Sequence, residues 1–122
     1  MKVLVIDDDP DVGATLQSLA GRMGLPCATA LTLAQGLREL RDPEVGVVFL
    51  DVRLPDGNGL DALPAIKEAP GRPEVIILTG QGSPDGAELA IRGGAWDYLV
   101  KPSPLKENRS EEHTSELQSL AY

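Results

Sequence analysis

Short, nearly continuous apolar runs alternate along this chain with longer segments in which apolar residues recur every three or four positions. The runs are VLVI at 3–6, VVFL at 47–50, VIIL at 75–78 and YLV at 98–100. Such runs predict strands buried on both faces, and the periodic segments between them predict helices. Residues 2–6 are the first predicted strand. Asp9 offers a helix cap with Pro10 at the first helical position, and the helix extends to about Met23, with Val12, Leu16, Leu19 and Met23 inward and Gly24 stopping it. Residues 26–30 predict a second strand, and Thr32 caps a second helix with Leu33, Leu37 and Leu40 inward.

The third strand, Val45 to Leu50, leads into a loop from Asp51 to Asn58 and a helix from about Gly59 to Ala69, with Leu60, Leu63 and Ile66 inward. Pro64 is tolerated there only near the first turn. Val75 to Leu78 is the fourth strand, Ser83-Pro84 opens a fourth helix that ends at Gly93-Gly94, and Asp97 to Val100 is the fifth strand. The alternation indicates an α/β fold with a doubly wound, five-stranded parallel sheet. In the order 2-1-3-4-5, strands one and three meet at the switch point, where ligands bind beyond the carboxyl ends of strands. The runs end there on Asp7 and Asp8, on Asp51, on Thr79 and on Lys101.

Composition narrows the chemistry. One domain fits 122 residues, and an aromatic content of 3% leaves the core to aliphatic side chains. A net charge of -8 argues against nucleic acid binding by this segment. The single cysteine, Cys27, permits no internal disulfide and suits a reducing compartment, although it reads first as a small buried hydrophobe. No apolar stretch approaches the roughly 20 residues of a membrane span, so a cytoplasmic location without membrane contact is expected.

Three carboxylates in one crevice repel one another, which protonation of some or a bound cation would relieve. A hard divalent cation takes oxygen ligands, and magnesium is favoured where a phosphate completes its shell. Asp7, Asp8 and Asp51 are therefore candidate ligands, although Asp7 to Asp9 alone could be a solvated turn that caps the first helix. Lys101 could pair with a carboxylate or with a substrate oxyanion, and Thr79 offers a hydroxyl to a phosphoryl oxygen. Singly, each of these has an ordinary structural explanation; jointly, they point to phosphate chemistry.

VLVIDDDP, VVFLDVRLPDGNGLD, VIILTG and DYLVKP, in this order and spacing, resemble the signature segments of the receiver domain of two-component response regulators, across residues 1 to about 107. The resemblance implies a flavodoxin-like fold in which Asp51 is phosphorylated by a sensor histidine kinase or a phosphotransfer protein. It implies that Asp8 binds Mg2+ directly, Asp7 chiefly through water, and Arg53 through its backbone carbonyl. Lys101 would contact the phosphoryl group, Thr79 would move to bond it, Tyr98 would change rotamer in response, and a cis bond would precede Pro102. Arg53 and Gln81 occupy positions that modulate dephosphorylation in similar receivers. GAWDYLVKP, with Trp96, looks most like receivers of enhancer-binding transcription activators.

Such a domain is a switch that assists its own phosphorylation rather than a turnover enzyme, and its fourth helix, fifth strand and fifth helix form a face that can pair two copies. The alternative is a haloacid-dehalogenase-like phosphotransferase, which resembles D-x-D, whereas Asp51-Val52-Arg53 lacks the second acid. Beyond Ser103 the fifth helix is atypical, because after Leu105 the inward positions fall near Asn108, Arg109 and Glu112. RSEEHTSELQS at 109–119 looks like a translated sequencing-library adapter, against a polar tail in which Ser110 caps a short helix. The expected division is a receiver at 1–108 and a non-native tail at 109–122, with the output domain lost.

Overall fold

A computed structural model describes residues 1–80 and 94–100, with the backbone alone at Thr79, Tyr98 and Val100. The expected fourth and fifth helices, Gln81, Lys101, Pro102 and its preceding bond, and the tail lie outside the described residues. The elements are β1 (Lys2–Ile6), α1 (Pro10–Arg22), β2 (Cys27–Ala30), α2 (Leu33–Glu39), β3 (Val45–Asp51), β4 (Arg53–Leu54), β5 (Gly57–Asn58), α3 (Gly59–Lys67), β6 (Glu74–Thr79) and β7 (Asp97–Val100). Five of the strands make one parallel sheet in the order β2-β1-β3-β6-β7. The α/β alternation read from the apolar runs thus yields a parallel sheet.

Because successive side chains leave a strand on opposite faces, each apolar run feeds two cores at once. Leu4, Ile6, Val48, Leu50, Val75 and Ile77 join Leu63 and Ile66 of α3, together with Leu40 just beyond α2. Val3, Val5, Phe49, Ile76 and Leu78 meet Val12 and Leu16 of α1 on the other face. The two helical layers therefore clamp the central strands, and most of those side chains are shielded from water.

The helix starts follow local hydrogen-bond logic. Asp9 accepts from Asp11 N at 2.9 Å, with Pro10 behind it, and Thr32 accepts from Gln35 N at 3.1 Å. Gly24 ends α1 at φ 75°, a value that costs a glycine little. Two expected inward residues face solvent instead. Met23 lies in the C-cap, off the helical face, and is 62% exposed. On α2 the inward position is taken by Gly36, which sits directly on Ile6, so the helix turns Leu37 outward. Pro64 lies within α3 beyond its first turn, a correction to the expected placement; its residue is exposed, so the ring projects away from the core. Cys27 is half-buried at the sheet edge rather than fully enclosed.

The segment after β3 is not a plain loop. Arg53 pairs with Asn58 and Leu54 with Gly57 in a short antiparallel hairpin. Asn58 then caps α3 by accepting from Leu60 N at 2.8 Å. Gly59, the first residue of α3, lies so close to the carbonyl of Asp51 that a Cβ would overlap that oxygen. Gly59→Ala should therefore destabilise the domain by about 1–3 kcal/mol in urea unfolding, despite the better helix propensity of alanine. Gly21→Ala, at a helical position with nothing within 4 Å, should stabilise it by up to about 1 kcal/mol.

Candidate functional site

Strand register brings the acids together. Ile6 is aligned with Leu50, so the next residues along β1 and β3, Asp7 and Asp51, come side by side at the carboxyl end of the sheet. One carboxylate oxygen from each of Asp7, Asp8 and Asp51 lies within 4.8 Å of the other two. Asp7 and Asp51 are 1% and 4% exposed, whereas Asp8 is exposed. The cluster is therefore buried on two sides and open to solvent at Asp8.

Backbone donors fix the carboxylates. Asp9 N donates to Asp7 Oδ1 at 2.9 Å, and Arg53 N donates to Asp51 Oδ1 at 3.3 Å. Val52 N donates to the Leu78 carbonyl at 3.2 Å, which ties the residue after Asp51 to β6. Gly59 N donates to the Val52 carbonyl at 2.7 Å and closes the base of the hairpin. These bonds position Asp51 while leaving its carboxylate beside Asp8.

At such separations each pair of negative charges repels by about 3–4 kcal/mol in an effective dielectric near 20. An all-oxygen donor set with one exposed member suits a hard divalent cation that keeps part of its water shell. The residues present thus fit Mg2+, with the Arg53 carbonyl belonging to the same loop.

Thr79 is aligned with Val100, and its β6 neighbour Leu78 is aligned with Asp51, so the backbone at Thr79 lies at the same end of the sheet as the acids. Tyr98 is aligned with Ile77, two residues back from the Thr79–Val100 pair. Trp96 precedes β7, bonded through its N-H to the Val75 carbonyl at 2.8 Å, and is 67% exposed at the opposite end of the sheet. Lys101 is outside the described residues.

One residue of this loop was not singled out by its sequence context. Asp56, at the hairpin tip, accepts from Leu33 N at 2.8 Å and from Ala34 N at 2.9 Å. The donors Ala34 N and Leu33 N hold its carboxyl below the ordinary aspartate range. In PDGN the residue reads only as a turn former, and nothing local signals partners more than 20 residues away.

The response regulator receiver domain profile matches residues 3–111. The chain is 36% identical over 104 residues to the response regulator protein PilR of Pseudomonas aeruginosa, covering 85% of the chain but 23% of PilR. It thus spans about a quarter of that relative's length. The beryllofluoride-activated NtrC4 receiver domain dimer is similar at 31% identity and a TM-score of 0.76, covering 99% of this chain and 98% of that one. A Burkholderia pseudomallei response regulator with a phosphorylated aspartic acid and a calcium ion is similar at 25% identity and a TM-score of 0.76, over 98% of this chain and 71% of that one. With the acid cluster at the carboxyl ends of β1 and β3 and a profile match over most of its length, the chain belongs to the receiver domain family of two-component response regulators.

Proposed function

We propose that this domain is a phosphorylation-operated switch in which Asp51 accepts a phosphoryl group from a partner histidine kinase or phosphotransfer protein. The observation that carries the reading is the buried Asp51 carboxylate held beside buried Asp7 and exposed Asp8. An Asp51 carboxylate oxygen attacks phosphorus, a new P–O bond forms, and the P–N bond to the donor histidine breaks. The donor imidazole leaves with that electron pair. Asp8, Asp51 and the Arg53 carbonyl would hold Mg2+ directly and Asp7 chiefly through water, and the bound ion would neutralise charge on the transferring group.

Lys101 contacts the phosphoryl oxygens, Thr79 bonds one of them, and Tyr98 follows by changing rotamer, which converts a local charge change into a surface change. Residues 1–108 form the receiver and 109–122 a non-native tail. The likeness to PilR and to an NtrC4 receiver supports membership among enhancer-binding activators, which regulate transcription through a further domain. Phosphorylation-dependent pairing through the fourth helix, fifth strand and fifth helix is in keeping with the NtrC4 dimer. The setting is cytoplasmic; among the described residues no helix is long and apolar enough to cross a membrane. Net charge of -8 leaves nucleic acid binding to other parts of a longer protein. The receiver match lends no support to a haloacid-dehalogenase-like phosphotransferase, and the domain is a phosphoacceptor rather than a turnover enzyme.

Acetyl phosphate with magnesium should add one phosphoryl group to the wild-type chain, read by intact mass and located at Asp51 by peptide mapping. Asp51→Asn should stay unmodified and folded, because its amide keeps the shape without the nucleophile. Equal phosphorylation of that variant would refute the assignment. Magnesium should raise the unfolding midpoint progressively, by an amount equivalent to about 2.7 kcal/mol at a hundred times the dissociation constant. Asp8→Ala should lose most of that response while gaining metal-free stability from relieved repulsion. Lys101→Ala should keep the magnesium response and fail to signal.

A further inference from the structure

Helix α2 has local capping of its own. Thr32 Oγ1 accepts from Gln35 N at 3.1 Å, and Gln35 Oε1 accepts from Leu31 N at 3.1 Å, a reciprocal arrangement close to a capping box. The two remaining donors of the first turn, Leu33 N and Ala34 N, are both taken by Asp56, one by each carboxylate oxygen. A fork of two bonds fixes orientation as well as distance. It joins α2 to the tip of the β4–β5 hairpin, 22 and 23 residues along the chain.

The hairpin has more need of this contact than the helix has. It contains two aligned pairs, Arg53 with Asn58 and Leu54 with Gly57, and an isolated ribbon so short is not stable by itself. Its base is closed by Gly59 N on the Val52 carbonyl, and Leu54 is buried in the core, but Pro55, Asp56 and Gly57 at the tip are exposed. The other end of the connection is firm, because Gly36 of α2 rests on Ile6, the residue before Asp7. Asp56 thus spans from the loop after Asp51 to the helix seated on the strand that carries Asp7 and Asp8.

We infer that Asp56 is a positioning residue for the acid cluster: by mooring the hairpin tip to α2, it fixes where the backbone of Arg53 stands relative to Asp7, Asp8 and Asp51. The inference rests on the reading of that cluster as a magnesium and phosphoryl site, and assigns to a residue that touches neither group the task of holding one of the metal's ligands in place. Misplacing a supporting partner of a metal site commonly weakens binding by about tenfold or more.

The test compares magnesium affinity by titration calorimetry, and phosphorylation by acetyl phosphate, in the full chain and three variants. Asp56→Ala should bind magnesium about tenfold more weakly. Its phosphorylation should slow at low magnesium and recover at saturating magnesium, since the nucleophile is untouched. Thr32→Ala removes a bond from the same helix start without freeing the hairpin, and should lower the unfolding midpoint while keeping wild-type affinity. Asp61→Asn removes one exposed charge from the first turn of α3, and should also keep that affinity. Wild-type magnesium affinity in Asp56→Ala, with only a lower midpoint, would reduce Asp56 to an ordinary helix cap and overturn the inference. Should Asp56→Ala fail to fold, Asp56→Asn, with one acceptor oxygen left, should show an intermediate loss, and wild-type affinity there would overturn it equally. A wild-type chain that bound no magnesium would instead sink the site reading itself, and this inference with it.

Discussion

Mutual repulsion between carboxylates at the ends of β1 and β3 is the constraint around which the rest of the domain is arranged. Asp7 and Asp51 are nearly inaccessible to water, and Asp8 stands beside them. Left to itself such a cluster would spread until solvent screened it. Asp7 and Asp51 cannot move apart, because each directly follows strand residues that are locked in register and buried on both faces. Hydrophobic burial along β1, β3 and β6 offsets an electrostatic cost concentrated at one edge of the sheet.

Backbone dipoles turned toward the acids offset part of that cost. Asp7 accepts from Asp9 N at the entrance to α1, and Asp51 accepts from Arg53 N at the entrance to the hairpin. Both bonds span two residues, the Asx geometry that short acidic side chains adopt readily. Gly59 serves the same end sterically, since only a residue without a Cβ lets α3 begin against the Asp51 carbonyl. The site is thus assembled from turn chemistry placed at the ends of rigid strands, and it is open to solvent at Asp8.

Sequence alone reached as far as local pattern reaches. The apolar runs marked the strands because burial on both faces leaves no polar position inside them, and the caps at Asp9 and Thr32 were visible because their partners lie two or three residues away. The proximity of Asp7 to Asp51 followed from strand order, which is a topological rule and not a local one. Leu37 and Met23 depart from the periodic pattern because a 3.6-residue period assumes that the helix axis keeps a standard distance and continues to its end. Gly36 brings α2 closer to Ile6 than a larger residue would allow, and Met23 lies past the last helical turn. The β4–β5 hairpin and the role of Asp56 were hidden because their partners are set by tertiary contact.

The architecture also dictates the direction in which a change at Asp51 can travel. Toward β1 the way is blocked by another buried carboxylate, and behind Asp51 lies the sealed row of Phe49 and Leu50. On the remaining side the Leu78 carbonyl accepts from Val52 N, and Leu78 itself is aligned with both Asp51 and Leu99. Strands in a sheet stand about 4.8 Å apart, so two strand spacings connect the acid to β7. A change at Asp51 therefore bears on the neighbouring carboxylates and on a backbone path that leads outward through β6. The buried charge at the strand ends is thus linked to the far sheet edge, β7, through the register of β3, β6 and β7.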